Sequence, residues 1–291
     1  MTATGTEFKA AARTQWDAAA AGWDKHTPAL RAWLRQTTDA MIAMADVQPG
    51  WRVLDVAAGA GDQTLDLAER VGPAGAVTAV DLSPVLVALG QQRASRAGVA
   101  QVRWCVGDGE ALPVEPDSFD AAVSRLGLML FPDPLQGLRE MHRALRPGGR
   151  ICTVVFAGPL RNPCVATLLA TARRHAGLPA LDPAELGMPG SLFSLSRPGQ
   201  LDALFHEAGF VDVATTAMDA VFRMPTVDDY LAFVRSSASP VLQILSRLDD
   251  GAAQAAWDDI RGQMAVFGSS SGWAGPNELL LTAARKPQGA A

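Results

Sequence analysis

The 291-residue chain is poor in cysteine, lysine and tyrosine, and each shortage narrows what it can be. Cys105, Cys152 and Cys164 are odd in number and lack CxxC or Cys/His spacing, which argues against a disulfide framework and a zinc site. No stretch reaches about 18 consecutive apolar residues, the length that a membrane-spanning helix needs. The first 26 residues carry scattered charges and no apolar core of the kind that a signal peptide requires. Positive charge is also short: 25 Lys and Arg stand against 30 Asp and Glu, for a net charge of -5, with no run of basic residues. A phosphate-backbone footprint needs a basic patch or stripe, so nucleic acid is not the expected partner. Lysine occurs only at Lys9, Lys25 and Lys286, and tyrosine only at Tyr230. The expectation is a soluble cytoplasmic protein without metal, nucleic-acid or membrane partners; a homodimer is allowed and nothing requires it.

What is present describes a folded enzyme-sized chain: 48% of the residues are hydrophobic and 19% charged. From Arg52 on, short β-branched runs alternate with helical patterns. "WRVLDVA", "AVTAVD", "QVRWCVGD", "FDAAVSR" and "RICTVVF" read as five strands. "QTLDLAERV", "SPVLVALGQQRASRAG" and "DPLQGLREMHRALRPGG" read as the helices between them, the last stopped by Pro-Gly-Gly. This order predicts an α/β fold, a Rossmann-like doubly wound sheet, mostly parallel and seven-stranded. "RPGQLDALFHEAGF" adds a helix, "VDVATTAMDAVFRM" one strand and "NELLLTAARK" the last strand. Two excursions interrupt the rhythm. The first holds the helical "NPCVATLLATARRHAG" and a Pro- and Gly-rich stretch over 178–195; the second runs from Thr226 to about Gly272 with three helical patterns. The predicted division is therefore a helical lid over 1–49, a core over 50–156 completed by 197–224 and 276–286, and a helical cap from 157–196 and 225–275. In the lid, Leu30, Trp33, Leu34, Met41, Ile42 and Ala45 share one helical face.

In such a sheet, ligands bind outside the carboxyl ends of the strands. "VLDVAAGAGDQT" runs from a strand through a turn into a helix, and counting from Gly59 places Thr64 where a dinucleotide turn has its third glycine. Gly59 and Gly61 still allow close backbone approach, and Asp55 offers a carboxylate that suits an ammonium better than a phosphate. Asp81 closes the second strand, from which a carboxylate can accept both hydroxyls of a ribose; a cap of the next helix is its plainer role. Asp108 closes the third, where it can accept from an exocyclic adenine amine, beside Gly109 and Glu110; a turn is the plainer role there. Amine, diol and purine without phosphate describe S-adenosylmethionine (SAM).

"VLDVAAGAGD", "AVDLSP", "GDGEALPVEPDSFDAAVSRLGLMLFPDP" and "LREMHRALRPGGR", in this order, resemble class I SAM-dependent methyltransferases, most of all the ubiquinone and menaquinone biosynthesis C-methyltransferase branch. The resemblance covers roughly 51–156. It implies that Asp55 and the backbone around Ala57, Gly59 and Gly61 hold the methionine part, Asp81 the ribose, and Leu82 the adenine face. It further implies that Asp108, Gly109 and Glu110 lie on the adenine side, that Arg125 faces the ligand through its backbone, and that S-adenosylhomocysteine (SAH) is the product. Ala57 departs from the common family glycine, though alanine is frequent there in this branch.

Methyl transfer is an in-line displacement, so alignment and exclusion of water are the main tasks, and a base is optional. In "WDAAAAGWDKH", Trp16 and Trp23 would close the pocket and His26 would act as a base or an orienting donor; packing and a solvated histidine are the plainer alternatives. Tyr230 is the second catalytic candidate, with core packing as its alternative. Met129, Leu130 and Phe131 are expected to line the acceptor pocket. The acceptor is expected to be a small aromatic or heterocyclic molecule, methylated at carbon, with oxygen or nitrogen as alternatives. A SAM-binding protein without catalysis and an NAD-dependent oxidoreductase are the rival readings.

Overall fold

The structure is a computed structural model that describes residues 5–180, 188 and 190–289. Strand β1 (Arg52–Val56) hides every side chain after Arg52. A strand covered on both faces belongs in the middle of a parallel sheet with helices on either side. It pairs in parallel with β2 (Ala76–Asp81) and β4 (Phe119–Arg125), while β3 (Val102–Val106) lies beyond β2 and β5 (Leu145–Phe156) beyond β4. β6 (Val211–Asp219) and β10 (Glu278–Arg285) complete seven strands in the order β3-β2-β1-β4-β5-β10-β6, with β10 antiparallel to both neighbours. The predicted mostly parallel, seven-stranded Rossmann-like sheet is the observed one.

The crossovers are helices α3 (Asp62–Val71), α4 (Pro84–Arg96) and α5 (Pro134–Ala144). Ser83 caps α4 by accepting from the Leu86 amide (3.1 Å), and Pro84 fills the first helical position, where a missing N–H is harmless. Asp133 caps α5 in the same way through Gln136. Ahead of the sheet run α1 (Gly5–Lys25) and α2 (Thr27–Met44). On α2, Leu30, Leu34, Met41 and Ile42 are buried on the predicted face, with Trp33 packed at its margin.

Two sequence expectations are corrected. The helix before β5 stops at Ala144 rather than at Pro-Gly-Gly: Leu145 is fully buried in an extended conformation, and residues 146–149 belong to β5, as a bulge opposite β4. Pro147 disfavours helical geometry at Arg146, so the chain leaves the helix early. Residues 211–224 are two strands, not one. β6 ends at Asp219, and β7 (Phe222–Met224) joins β8 (Gly268–Ser269) and β9 (Gly272–Gly275) in a separate small sheet. The break lets Phe222 stack on Trp33 at 4.9 Å and meet Tyr230 and Phe233 edge-on.

The two excursions supply α6 (Pro163–His175) and the three predicted helices α8 (Val227–Ser237), α9 (Ser239–Leu245) and α10 (Asp250–Met264); α7 (Gln200–Glu207) covers β6. α6 packs on α9 and α10, and α1 packs on α8. Of the Pro- and Gly-rich stretch, 181–187 and 189 lie outside the described residues. Among the described residues no helix is long and apolar enough to cross a membrane, and no metal-binding cluster is found.

Candidate functional site

A cleft opens at the carboxyl ends of β2, β3 and β4, with the turn after β1 as one wall and α1 and α2 as the other. Its free space, open mouth included, is about 1210 Å³. The turn holds Ala57, Gly59 and Gly61 at φ of 57°, 59° and 86°. Gly61 needs its freedom twice over, because a side chain there would also collide with the Trp104 ring.

Asp81 lines the cleft while tying it together. Its Oδ2 accepts from the Gly59 amide (2.7 Å) and its Oδ1 from the Ser83 amide (2.9 Å), so the tip of β2 holds the glycine turn in place. Burial pushes its pKa up, and those amides pull against the shift. Each carboxylate oxygen has a second lone pair that can accept from a ligand. Asp108, Gly109 and Glu110 line the far end. A side chain on Gly109 would run into the Phe131 ring, which forms the floor with Leu130.

The turn also has a buried support. Asp55 is fully buried and does not line the cleft; its oxygens accept from Thr64 Oγ1 (2.6 Å) and Gln63 Nε2 (3.2 Å). Burial, only partly offset by these bonds and by the nearby Arg125 charge, pushes its pKa up to about 6.

Of the sequence-predicted site residues, the structure brings Trp23, Ala57, Gly59, Asp81, Leu82, Asp108, Gly109, Glu110, Arg125, Leu130 and Phe131 onto one cleft. Gly61 stands one residue behind its wall. Arg125 lines the cleft, and its guanidinium reaches α2, where Nη1 donates to Thr38 Oγ1 at 2.7 Å. Besides Asp55, three residues lie elsewhere. Met129 is buried beneath the floor, its carbonyl accepting from Ser194 Oγ (2.6 Å). Tyr230 is buried under the small sheet, stacked on Trp273 at 4.0 Å. His26 stands edge-on to Phe233 (5.4 Å), with its Nε2 buried and unpartnered and its pKa lowered by burial and then by Lys25.

Sequence reasoning placed Trp16 and Trp23 at the pocket but missed Phe8, Lys9 and Ala12 of α1 and the contribution of α4. All five α1 residues line the cleft, and the Trp23 Nε1 donates to the Ser237 carbonyl of α8 (3.1 Å). The Lys9 ammonium pairs with Asp108 (2.6 Å) and Glu110 (2.5 Å), closing α1 over the tip of β3. Arg93 pairs with Asp24 (2.7 Å) and Asp62 (2.9 Å), bridging α1 to the start of α3. The one sequence signal for Lys9 was the rarity of lysine. Residues of 157–196 and 225–275 do not line the cleft among those described; α8 and α9 pack on α1, and Ser194 reaches Met129 beneath the floor.

A parallel sheet closed by an antiparallel β10, with a glycine turn and acidic strand tips at its carboxyl edge, defines the Rossmann-like class I SAM-dependent methyltransferase fold. Residues 29–167, just under half of the chain, match the model of the ubiE/COQ5 methyltransferase family. It is 36% identical over 129 residues to the demethylmenaquinone methyltransferase of Bacillus cytotoxicus, covering 44% of this chain and 53% of that protein. It is 37% identical over 142 residues to the ubiquinone/menaquinone biosynthesis C-methyltransferase UbiE of Ectopseudomonas mendocina, covering 48% and 54%. The chain thus spans about half the length of the curated relatives it matches. Among solved structures, phosphoethanolamine N-methyltransferase 2 of Haemonchus contortus, in complex with phosphomonomethylethanolamine and SAH, is 18% identical with a TM-score of 0.58, over 99% of this chain and 61% of that one. At that identity the likeness is one of fold.

Proposed function

We propose that the cleft binds SAM and that the chain transfers its methyl group to a small aromatic or heterocyclic acceptor, at carbon. The observation that carries this reading is the convergence of Asp81 and Asp108 with the glycine turn on one cleft, where Asp81 keeps lone pairs for a ligand and the Lys9 ammonium is taken up by Asp108 and Glu110. The residues present fit the group: the turn approaches without side chains at Gly59 and Gly61, and Asp81 keeps lone pairs for a diol. When bound, SAM supplies an electrophilic methyl group on a sulfonium. The chain's own residues align and enclose: Asp81 orients the sugar, Asp108 and Glu110 the purine, and Trp16, Trp23, Leu130 and Phe131 exclude water from the acceptor side.

Carbon is favoured because neither His26 nor Tyr230 stands on the cleft to deprotonate a hydroxyl or an amine. An electron-rich ring carbon can attack the methyl without a prior deprotonation, the carbon–sulfur bond breaking to leave the thioether and the ring proton passing to water afterwards, and the names of the relatives, among them a C-methyltransferase, agree. We further propose that the protein works in the cytoplasm on a free small molecule, without nucleic acid, and that α1 and α2 act as the lid while 157–196 and 225–275 act as a cap that braces it. Calorimetric titration with SAH and with NADH, followed by incubation with methyl-labelled SAM and a panel of demethylated quinols, phenols and indoles, tests the reading. Saturable SAH binding, no NADH binding and label in a quinol ring are expected. Stoichiometric NADH binding without SAH would overturn the cofactor; SAH binding with label in no acceptor would favour a protein that binds without transferring.

A further inference from the structure

One end of the cleft has a cation without an anion. Arg125 is the last residue of β4, and directly after it the chain turns away through Leu126 at φ 59°, whose amide is taken by the Val154 carbonyl. The guanidinium is left enclosed between β4, the turn after β1 and α2. It has five N–H donors. Among the described residues it makes one hydrogen bond, to Thr38 Oγ1, whose own proton goes to the Leu34 carbonyl (2.9 Å).

No carboxylate lies within ion-pair distance of it among the described residues, although three are near enough to feel its charge. Each of those three is engaged elsewhere. Asp62 pairs with Arg93 at 2.9 Å and Asp66 with Arg31 at 2.6 Å, while Asp55 is turned under the glycine turn toward Thr64 and Gln63. A charge withdrawn from water is expensive unless it is paired and hydrogen-bonded, and Arg125 is half-buried at the cleft wall, where desolvation pushes its pKa down. At the opposite end Asp81, Asp108 and Glu110 outnumber the one ammonium there, Lys9, which pairs with the last two, so an anion gains less there than beside Arg125.

We propose that Arg125 receives the carboxylate of the amino-acid part of the bound donor, and so sets the direction in which the donor lies in the cleft. This rests on the reading of the cleft as a SAM site. A planar guanidinium with adjacent free N–H groups matches a carboxylate bidentately, which a lysine ammonium cannot do. Thr38 holds the guanidinium in place from behind, so the fork is set before the ligand arrives and little order is lost on binding. The arrangement selects adenosyl thioethers that carry an amino acid over those that do not.

SAH and 5′-methylthioadenosine separate the two ends, because both carry the adenosyl thioether and only SAH carries the carboxylate. Titration of the full chain and of Arg125→Gln and Arg125→Lys with both compounds is the test. Arg125→Gln is expected to weaken SAH about 10- to 100-fold and to leave 5′-methylthioadenosine within about twofold, with Arg125→Lys between the two for SAH. The thermal midpoint of ligand-free Arg125→Gln is expected to equal or exceed that of the unaltered chain, since a half-buried charge without a counter-ion has been removed. Equal losses for both ligands, or no loss for SAH, would overturn the assignment, as would an unaltered chain that binds the two compounds equally well. If the unaltered chain bound neither compound, the SAM reading itself would fall, an outcome distinct from the other three.

Discussion

Ala57 and Asp55, two residues apart at the end of β1, show how much local free energy the site holds. Ala57 has a left-handed backbone at φ 57°, which costs a residue with a Cβ roughly 1–2 kcal/mol. Glycine would remove that cost but add about 0.5–1 kcal/mol of entropy loss on folding. Ala57→Gly is therefore expected to stabilise the chain by about 0.5–1 kcal/mol in a urea titration. A loss of stability would mean that the Ala57 methyl, which packs against Gly127, contributes more than the strain it imposes. Asp55 behaves differently because its effect depends on pH. Its pKa rises to about 6 from an ordinary 3.8, so between about pH 4 and pH 6 the folded state keeps a proton that the unfolded chain has released. Stability from this group is thus present below that window, falls as pH rises through it, and is lower by roughly 3 kcal/mol above it. Asp55→Asn cannot ionise. The difference in unfolding free energy, Asp55→Asn minus the unaltered chain, is expected to grow from pH 4 to about pH 7 and then level off. A difference that stays flat across that range would show that Asp55 titrates as an exposed carboxylate does.

At the scale of elements, α1 is the part held most by charge. Lys9 pairs with Asp108 and Glu110, Asp24 with Arg93, and Asp17 accepts from Ser83 Oγ, whereas only Ala19, Ala20 and Gly22 of its 21 residues are buried. Half-exposed ion pairs contribute at most about 1 kcal/mol each and weaken as salt shortens the screening length. α2 instead is anchored by buried Leu30, Leu34, Met41 and Ile42. Hydrogen exchange in the α1 amides is therefore expected to speed up between about 0.05 M and about 0.5 M salt while α2 does not change. The apolar part of the α1 docking is close approach: a side chain at Gly22 would strike the Ser236 carbonyl on α8. Gly22→Val is expected to raise α1 exchange at every salt concentration and to leave exchange in the sheet unaltered. Salt-insensitive α1 exchange in the unaltered chain would show that this contact, and not the ion pairs, holds the helix down.

At the scale of the whole molecule, what was legible in the sequence is what depends on near neighbours in the chain. β2, β4 and α4 follow from β-branched runs and from Ser83-Pro84, and Asp81 and Asp108 were found because strand tips are readable from where such runs end. What was not legible depends on distant contacts. The Lys9–Asp108 pair joins residues 99 apart; which way His26, Met129 and Tyr230 turn is decided by Phe233, Ser194 and Trp273; and β6 breaks from β7 because Phe222 finds Trp33. β10 is the extreme case, since the last strand in the chain is an interior strand of the sheet. It pairs with β5 from Leu279 to Arg285 and with β6 from Glu278, so neither β6 nor the α7 layer reaches the core without it. A chain ended after residue 276 would expose the edge of β5 and the apolar face that buries Leu279 and Leu281, and is expected to lose its cooperative thermal transition. A chain ended after residue 288 keeps every pair of β10 and the bonds from the Gly148 amide to the Lys286 and Pro287 carbonyls, and is expected to melt within about 2 °C of the full chain. Circular dichroism melts of the two truncations distinguish the outcomes. A cooperative transition retained by the shorter chain would mean that β1 to β5 and their helices fold as a unit that β10 and β6 only extend.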